Sequence, residues 1–304
     1  MVTIRRLIKI GLIILLATGC ANLCFAWNAF GHRLVAQIAY NNLSEHAKQV
    51  FNHYNHALDK EYRPQNFVNA ASWLDSLRFQ DVNWYDHLHY INIPFSWDGT
   101  YLTKPPAANV VWAISQAVAV LNNPSSNDFD KGLSLRILIH VLGDIHQPLH
   151  AAAQFSKHFP NGDRGGNLLA LGKNSVAGNL HGYWDKGAGL LKVKSLRGQK
   201  LNKQADFLLA KSPCKPEKNI LSPQEWALES HQLAIKVAYT IHYGQKPNKI
   251  YQRKVKQIAE ERIVLAGCRL AAILNDIDSK IDRKINTQNL PQAFSVSRLR
   301  HSIR

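Results

Sequence analysis

Residues 140–150, "HVLGDIHQPLH", hold the densest group of side chains that could do chemistry. Residues four apart share a helix face, so His140 and Asp144 point the same way. Pro148 ends or bends that helix, which lets His150 turn towards a different point. A second pair repeats the spacing in "HGYWD", where His181 and Asp185 are also four apart. Imidazole and carboxylate groups are good zinc ligands, so two such pairs with a nearby His predict a zinc site.

Two further residues extend this group. Asp75 lies in "ASWLDSLR" (residues 71–78), an apolar helical pattern in which an unpaired carboxylate would be costly to bury. Alone it could be a salt-bridge partner, but beside the two His–Asp pairs it is interpreted as a ligand. His89 begins "HYIN", a run suited to an extended segment. His146 lies off the face of His140, so we expect it to make hydrogen bonds and not to ligate.

The start of the chain has the pattern of an export signal peptide, assigned to residues 1–26. Basic residues precede the apolar run 10–17, and "CFA" at 24–26 resembles a cleavage site. The run is too short to span a bilayer, which takes about 20 residues. The alternative is a lipoprotein signal, in which "ATGC" at 17–20 would place an acylated Cys20 at the new N-terminus. This segment has Ala at the position where a branched aliphatic residue is usual. Cleavage after residue 26 leaves Trp27 at the mature N-terminus.

Charge and cysteine content indicate the kind of partner and compartment. The chain has 37 Lys and Arg against 21 Asp and Glu, and 34 against 21 without the signal, a net charge of +13. Such a balance favours nucleic acid or an anionic membrane surface, although a basic surface can serve solubility alone. Cys214 and Cys268 then remain as an even pair. In an oxidising compartment they are predicted to form a disulfide; the alternative is two free thiols, with Cys268 packed on an apolar helix face.

Helical periodicity dominates the rest of the chain. Apolar residues recur at three- and four-residue spacing over 32–57, 66–78, 107–122, 131–146, 222–243 and 249–275. "SPQE" at 222–225 predicts a helix start with a capping box. Residues 157–178, rich in Gly, Pro, Asn and Asp, predict a loop with a short β-hairpin. We therefore predict a mainly α-helical, single compact domain over residues 27–278, followed by a flexible basic tail over residues 279–304.

The motifs resemble those of one known family. "WNAFGH", "ASWLDSLR", "LHYIN", "HVLGDIHQPLH", "GGN", "NLHGYWD", "WALES" and "LAGCRLAAILN" occur in the order found in the zinc-dependent S1/P1 nuclease family, from Trp27 to about Asn275. The resemblance implies a mainly α-helical fold like that of phospholipase C and this nuclease family. It also implies a phosphodiesterase with three zinc ions. Such relatives cleave single-stranded RNA and DNA to 5′-nucleotides and remove 3′-phosphates from mononucleotides.

Matched position by position, the resemblance assigns nine metal ligands. One zinc ion matches Asp75, His89, His140 and Asp144, and a second matches His150, His181 and Asp185. The third matches His32 and Trp27, with Asp144 bridging to the first ion. Trp27 would chelate through its free α-amino nitrogen and its carbonyl oxygen, which requires cleavage directly before it.

The resemblance also implies the residues that act on the substrate. A zinc-held hydroxide is the expected nucleophile, because neighbouring zinc ions acidify water and neutralise phosphoryl oxygens. Arg78, one turn after the catalytic ligand Asp75, matches a transition-state arginine; a surface salt bridge is the alternative. Family members often carry Phe and Asp in the base-binding pocket where this chain has Tyr90 and Asn92. Tyr90 can still stack a base, whereas Asn92 leaves base preference open. Lys186 has no assured counterpart and is expected to attract phosphate.

Two other functions are compatible with these motifs. A zinc-dependent phospholipase C also uses an N-terminal Trp and a similar centre, but acts on phospholipid head groups. The five-residue spacing from Trp27 to His32, the motif order and the positive charge favour the nuclease. The second alternative is a non-enzymatic protein of the periplasm that holds zinc or binds nucleic acid. It would bind zinc and DNA but release no nucleotide. We expect export to the periplasm or beyond the cell, single-stranded nucleic acid and 3′-nucleotides as substrates, no membrane anchor and no obligate protein partner.

Overall fold

Helices make up most of the chain in the computed structural model, which describes residues 27–77, 84–192, 196–215 and 222–288. The α-helices of these residues are α1 (Ala29–Asn41), α2 (Glu45–His56), α3 (Phe67–Ala70), α4 (Trp73–Ser76), α5 (Val110–Asn122), α6 (Asp128–Ile145), α7 (Leu180–Asp185), α8 (Gln199–Lys211), α9 (Pro223–Lys236) and α10 (Lys249–Gln288). The strands are β1 (Ile93–Ser96) and β2 (Ala152–Phe155). The mainly α-helical, compact domain predicted from the sequence is confirmed. The predicted signal peptide, Arg78 and residues 289–304 lie outside the described residues.

Helix α6 forms the centre of the fold. Asn127 caps its start by accepting a hydrogen bond from the backbone N–H of Asp130. The helix packs against α1, α2, α5 and α10, so its last two turns are buried on all sides. A helix that is apolar nearly all round belongs inside a domain. Because α6 carries His140 and Asp144, its burial takes these polar side chains into the interior.

The long helix α10 packs along α1. A Cβ atom added to Gly267 would lie 2.5 Å from Cγ2 of Ile38, so the absence of a side chain permits this close approach. Cys268 on the same helix is bonded to Cys214, with Cα atoms 5.5 Å apart, which confirms the predicted disulfide. The helix continues to Gln288, so the domain limit predicted at residue 278 falls within it.

Several predicted helices differ from the observed ones at their ends. The pattern over 32–57 is two helices, because the Ser44 hydroxyl accepts from the N–H of Ala47 and starts α2 anew. The pattern over 66–78 likewise contains two short helices, α3 and α4. Helix α9 has the predicted capping box at Ser222 and Glu225 but ends at Lys236, before residue 243. Helix α8 was not predicted, because it buries only one narrow stripe on an otherwise polar helix.

The two strands form a parallel pair that was not predicted. Ile93 lies opposite Ala152 and Ser96 opposite Phe155. Just before the pair, the backbone N–H of Ile91 donates to the carbonyl of His150 (2.9 Å). The strands therefore bring the segment after His89 alongside the segment after His150.

The predicted loop over 157–178 is present, and its hairpin amounts to a single antiparallel bridge between Ala170 and Asn179. Backbone hydrogen bonds join Leu171 to Gly178 (2.8 Å) and Leu180 to Leu169 (2.9 Å) on either side of it. This bridge leads directly into α7. None of the described helices is both long and apolar enough to cross a membrane.

Candidate metal centre

The eight His and Asp residues predicted as ligands are all buried and lie in three groups. In each group, one potential ligand atom from every member lies within 4.8 Å of the others. The groups are His32, His140 and Asp144; Asp75, His89 and His140; and His150, His181 and Asp185. His140 belongs to the first two groups, so these adjoin. The structure thus brings together every His and Asp of the predicted ligand set.

Helix α6 supplies the residues at the junction of the first two groups. His140 Nδ1 donates to the carbonyl of Ala71 (2.6 Å), so its Nε2 carries the lone pair and faces the group. That Nε2 lies 3.1 Å from His89 Nδ1, 3.4 Å from Asp144 Oδ2 and 3.7 Å from Asp75 Oδ1. His89 Nδ1 is in turn 2.9 Å from Asp144 Oδ2. Two imidazoles and two carboxylates therefore face one small volume.

The third group shows most directly that its donors fit a cation. His150 Nδ1 donates to the carbonyl of His89 and His181 Nδ1 to that of Gly165, each at 2.7 Å. Both Nε2 atoms are then acceptors, yet they lie 3.2 Å apart. Asp185 Oδ1 is a further 3.6 Å from His181 Nε2. Lone pairs and a carboxylate directed at one another repel unless a positive charge sits among them, and N/O donors at this spacing suit zinc.

His32 reaches the centre from α1. Its ring stacks on His140 with centroids 4.0 Å apart, and its Nε2 lies 3.3 Å from Asp144 Oδ1. A Cβ atom on Gly143 would lie 2.8 Å from His32 Nδ1, so only glycine leaves room for this ring. Burial, and then the nearby His140 and His150, hold the pKa of His32 well below its ordinary value. Its imidazole is therefore neutral, the form that binds metals.

Trp27 lies next to His32 at the start of the described chain. Its side chain is fully buried, and its Cβ would be 2.7 Å from a Cβ atom on Gly31. The following backbone N–H, that of Asn28, donates to the carbonyl of Asp185 (3.1 Å). The segment at Trp27 and Asn28 is thus held between the His32 group and the Asp185 group.

The predicted substrate residues lie around the same centre. Tyr90 and Asn92 are partly buried and follow His89, and Asn92 has a left-handed backbone with φ of 50°. Asn92 Oδ1 would lie 3.3 Å from a Cβ atom on Gly165, the residue whose carbonyl holds His181. Lys186 lines a cavity of about 460 Å³ together with Asp185. The structure does not describe Arg78.

Gln147 was not singled out from the sequence, yet it orients a predicted ligand. Its Nε2 donates to Asp185 Oδ1 and its Oε1 accepts from the N–H of Leu149, both at 2.6 Å. Its position between His146 and Pro148, inside the motif with the most candidate ligands, could have identified it from the sequence. His146 makes hydrogen bonds as predicted: Nδ1 donates to the carbonyl of Leu142 (2.8 Å) and Nε2 accepts from Arg269 (2.9 Å).

A buried ion cluster supports the end of α6 and was also missed. Arg269 donates to both carboxylate oxygens of Glu229, at 2.7 and 3.0 Å. Arg262 donates to Glu229 (3.1 Å) and to the carbonyl of His146 (3.2 Å). Burial lowers the pKa of Arg262 to about 10, although Glu229 counteracts it. The signal lay in "WALES" and "LAGCRL", which carry an acid and a base inside apolar helices.

Asp163, which was also missed, braces the loop that holds His181. Its buried carboxylate accepts from the N–H of Gln154 (2.9 Å) and from the hydroxyl of Tyr239 (3.1 Å). Burial raises its pKa to about 6, against these hydrogen bonds. Two residues later, Gly165 has φ of 64°, and its carbonyl accepts from His181. The signal was the single Asp in the glycine-rich "GDRGG".

Fold and site together define a mainly helical protein with a buried centre that can hold several metal ions. The chain belongs to the S1/P1 nuclease family: the sequence model of that family, described as S1/P1 Nuclease, matches residues 27–279. It is 28% identical to Endonuclease 1 of Arabidopsis thaliana over 301 residues, covering 90% of this chain and 93% of that protein. It is 26% identical to Nuclease S1 of Aspergillus oryzae, over 54% of this chain and 55% of that one. It is 27% identical to Nuclease P1 of Penicillium citrinum, over 52% of this chain and 57% of that one. The predicted family is confirmed, and the protein is a nuclease.

Proposed function

We propose that this protein is an exported trinuclear zinc nuclease. It hydrolyses single-stranded RNA and DNA to 5′-nucleotides and removes 3′-phosphates from nucleotides. The observation that carries this proposal is the sharing of His140 between two of the three donor groups, which makes them parts of one centre. The family of the chain supports the nucleic-acid substrate.

In this proposal the zinc ligands are those matched from the family: Asp75, His89, His140 and Asp144; His150, His181 and Asp185; and His32 with Trp27. When bound, zinc acidifies water and neutralises charge on phosphoryl and leaving oxygens. The role of Trp27 is supported by its burial beside His32 and by the hydrogen bond from Asn28 to the carbonyl of Asp185.

The remaining residues hold these ligands and receive the substrate. Backbone carbonyls fix the tautomers of three histidines, and Gln147 orients Asp185. Tyr90 stacks a base and Asn92 contacts its edge, while Lys186 attracts a phosphate to the cavity beside Asp185. Arg78 stabilises the transition state, a role assigned from the family motif alone. A base must leave its stack to reach Tyr90, so single strands are preferred to duplex.

Metal content provides the first test. The purified protein should contain three zinc ions and lose activity to chelators. His150→Ala should lose one of them together with nearly all activity. The control His46→Ala alters an exposed histidine that pairs with Asp278 and should keep both. One metal ion or none per active chain would overturn the trinuclear assignment.

Substrate range provides the second test. Rates on single-stranded DNA, RNA, duplex DNA and 3′-nucleotides should be compared with release of head groups from phosphatidylcholine. Single strands should be cut far faster than duplex, and Tyr90→Ala should weaken substrate binding without loss of zinc. Equal rates on single strands and duplex would contradict the role of Tyr90. Preferential cleavage of phosphatidylcholine would favour the phospholipase alternative.

Export and maturation provide the third test. The disulfide between Cys214 and Cys268 supports an oxidising compartment. An α-amino group binds zinc only when deprotonated, and a peptide nitrogen has no lone pair to give. A variant with one Ala left before Trp27 should therefore lose zinc and activity. If it keeps three zinc ions and the rate of the protein that begins at Trp27, the N-terminal ligand is wrong.

A further inference from the structure

A basic surface lined by none of the predicted metal ligands lies at the end of α9. We call it the lysine pocket: a cavity of about 390 Å³ lined by Lys236, Lys246 and Lys254, with Val237, Ile241 and Tyr251 among its walls. All three lysines are exposed to solvent. None of the described residues that line it is acidic.

The sequence around the pocket is one-sided in charge. Residues 236–259 contain six Lys and Arg and no Asp or Glu. Cationic side chains whose own segment offers no acidic partner favour an anionic ligand. Because the three lysines come from the end of α9, the turn after it and the first turns of α10, they surround the cavity from different elements. Such an arrangement suits successive negative charges along a chain.

Two sets of contacts join the lysine pocket to α7, which carries His181 and Asp185, and to the loop before that helix. Trp184 Nε1 on α7 donates to the hydroxyl of Tyr251, a wall of the pocket (3.0 Å). Backbone hydrogen bonds also link Gly244 to Ala170 (2.8 Å) and Gly172 to Gln245 (2.9 Å). The pocket therefore packs directly against the structural support of the third donor group.

An exposed aromatic side chain lies on the same turn. Tyr243, between Ile241 and Lys246, is 58% exposed, and its ring centroid is 5.0 Å from that of His158. A half-exposed tyrosine held by a ring contact is a platform on which a base can stack. Lysines combined with exposed aromatics are the usual means of holding single-stranded nucleic acid.

We propose that the lysine pocket and Tyr243 form an exosite, a binding surface outside the active centre, for the single-stranded substrate. The three lysines contact phosphates that flank the cleaved bond, and Tyr243 stacks an unpaired base. This inference rests on the proposed nuclease function. Its consequence is that long strands bind more tightly than substrates too short to reach the pocket.

Steady-state kinetics test the exosite. The triple variant K236A/K246A/K254A should raise KM for a single strand of about 30 nucleotides and leave kcat unchanged. A dinucleotide should be cleaved as by the wild type. Each phosphate contact adds about 0.7 to the slope of log affinity against log salt concentration, so losing three contacts reduces that slope by about 2. The ratio of variant KM to wild-type KM should therefore fall about 20-fold between 50 and 200 mM salt. Tyr243→Ala should raise KM at least about fivefold, the lower range for one stacked base.

The control variant K60A/K200A/K203A removes the same charge from exposed lysines that do not line the pocket. Binding of a phosphorothioate oligonucleotide to the zinc-loaded protein, followed by fluorescence anisotropy, gives a readout that needs no cleavage. Equal affinity of the pocket and control variants overturns the exosite, whatever the activity. Failure of the wild type to cleave any nucleic acid overturns the proposed function instead. Loss of binding to anionic vesicles with unchanged oligonucleotide affinity would assign the surface to lipid and also overturn the exosite.

Discussion

Glu229→Gln tests whether the buried ion cluster stabilises the domain. Glu229 accepts three charge-assisted hydrogen bonds, two from Arg269 and one from Arg262. Both guanidinium groups are buried, whereas the Glu229 side chain is 32% exposed. Glutamine keeps the size and one acceptor oxygen but removes the negative charge that the two buried guanidinium groups share. Breaking a buried ion pair costs about 3–5 kcal/mol, and the partial exposure of Glu229 places the expected loss near 3 kcal/mol.

The loss should be measured by chemical denaturation of the metal-free protein, so that zinc binding does not contribute. Partial burial would raise the pKa of Glu229, but hydrogen bonds from Arg269 and the charge of Arg262 lower it below its ordinary value of 4.5. The stabilisation is therefore present above this value and is lost as the pH falls through the lowered pKa. The difference between variant and wild type should shrink in acid.

The matched control is Glu45→Gln, which removes an acid that is 84% exposed and pairs with Lys48 at 2.7 Å. Such surface pairs contribute about 0–1 kcal/mol. A loss below about 1 kcal/mol for Glu229→Gln, or equal losses in the two variants, would refute the reasoning from buried charge.

Three other substitutions probe the centre and its supports. Gly143→Ala would place a Cβ atom 2.8 Å from His32 Nδ1, so we expect a loss of about 1–3 kcal/mol and of the metal held by His32. The control Gly178→Ala, whose new Cβ atom has nothing within 4 Å, should change neither stability nor zinc content. Equal zinc content in the Gly143 and Gly178 variants, measured by elemental analysis, would count against this steric account. Burial raises the pKa of Asp163 from 3.8 to about 6, so its contribution to stability is present at low pH and declines as the pH rises through 6. The free energy of unfolding of metal-free Asp163→Asn, relative to the wild type, should therefore rise by about 2.5 kcal/mol between about pH 4 and pH 7. A difference that stays constant with pH would exclude this cause. Cys214→Ser opens a disulfide with a sequence separation of 54 residues and should cost about 4 kcal/mol, relative to the oxidised wild type; an unchanged denaturation midpoint would contradict it.

Much of the centre could be predicted from the sequence because its main spacings are local. His140 and Asp144, like His181 and Asp185, are four apart on a helix, and backbone geometry alone places such residues on one face. The sequence also predicted that the two His–Asp pairs would bind metal, because imidazole and carboxylate groups together suit zinc. The capping box at Ser222 was predictable for the same reason, because all its groups lie within one turn.

Helix ends were less predictable where a local pattern met a tertiary contact. The apolar periodicity of 32–57 continues across the junction between α1 and α2, but Asn275 on α10 accepts from the N–H of Ser44 and holds the chain there. The hydrogen bond joins residues 231 apart in sequence. No window of neighbouring residues contains that information.

The sequence by itself determined which residues supply the donors and that most of them would lie on helices. Only the tertiary structure decided which donors meet. His140 is shared by two groups, His32 stacks on it across Gly143, and Gln147 reaches Asp185. These contacts depend on how α1, α6 and α7 pack, and packing is set by steric fit between distant segments. Helical spacing is instead a property of the backbone within a turn or two, which is why the sequence alone could predict the clustered His and Asp side chains but not the residues that support them.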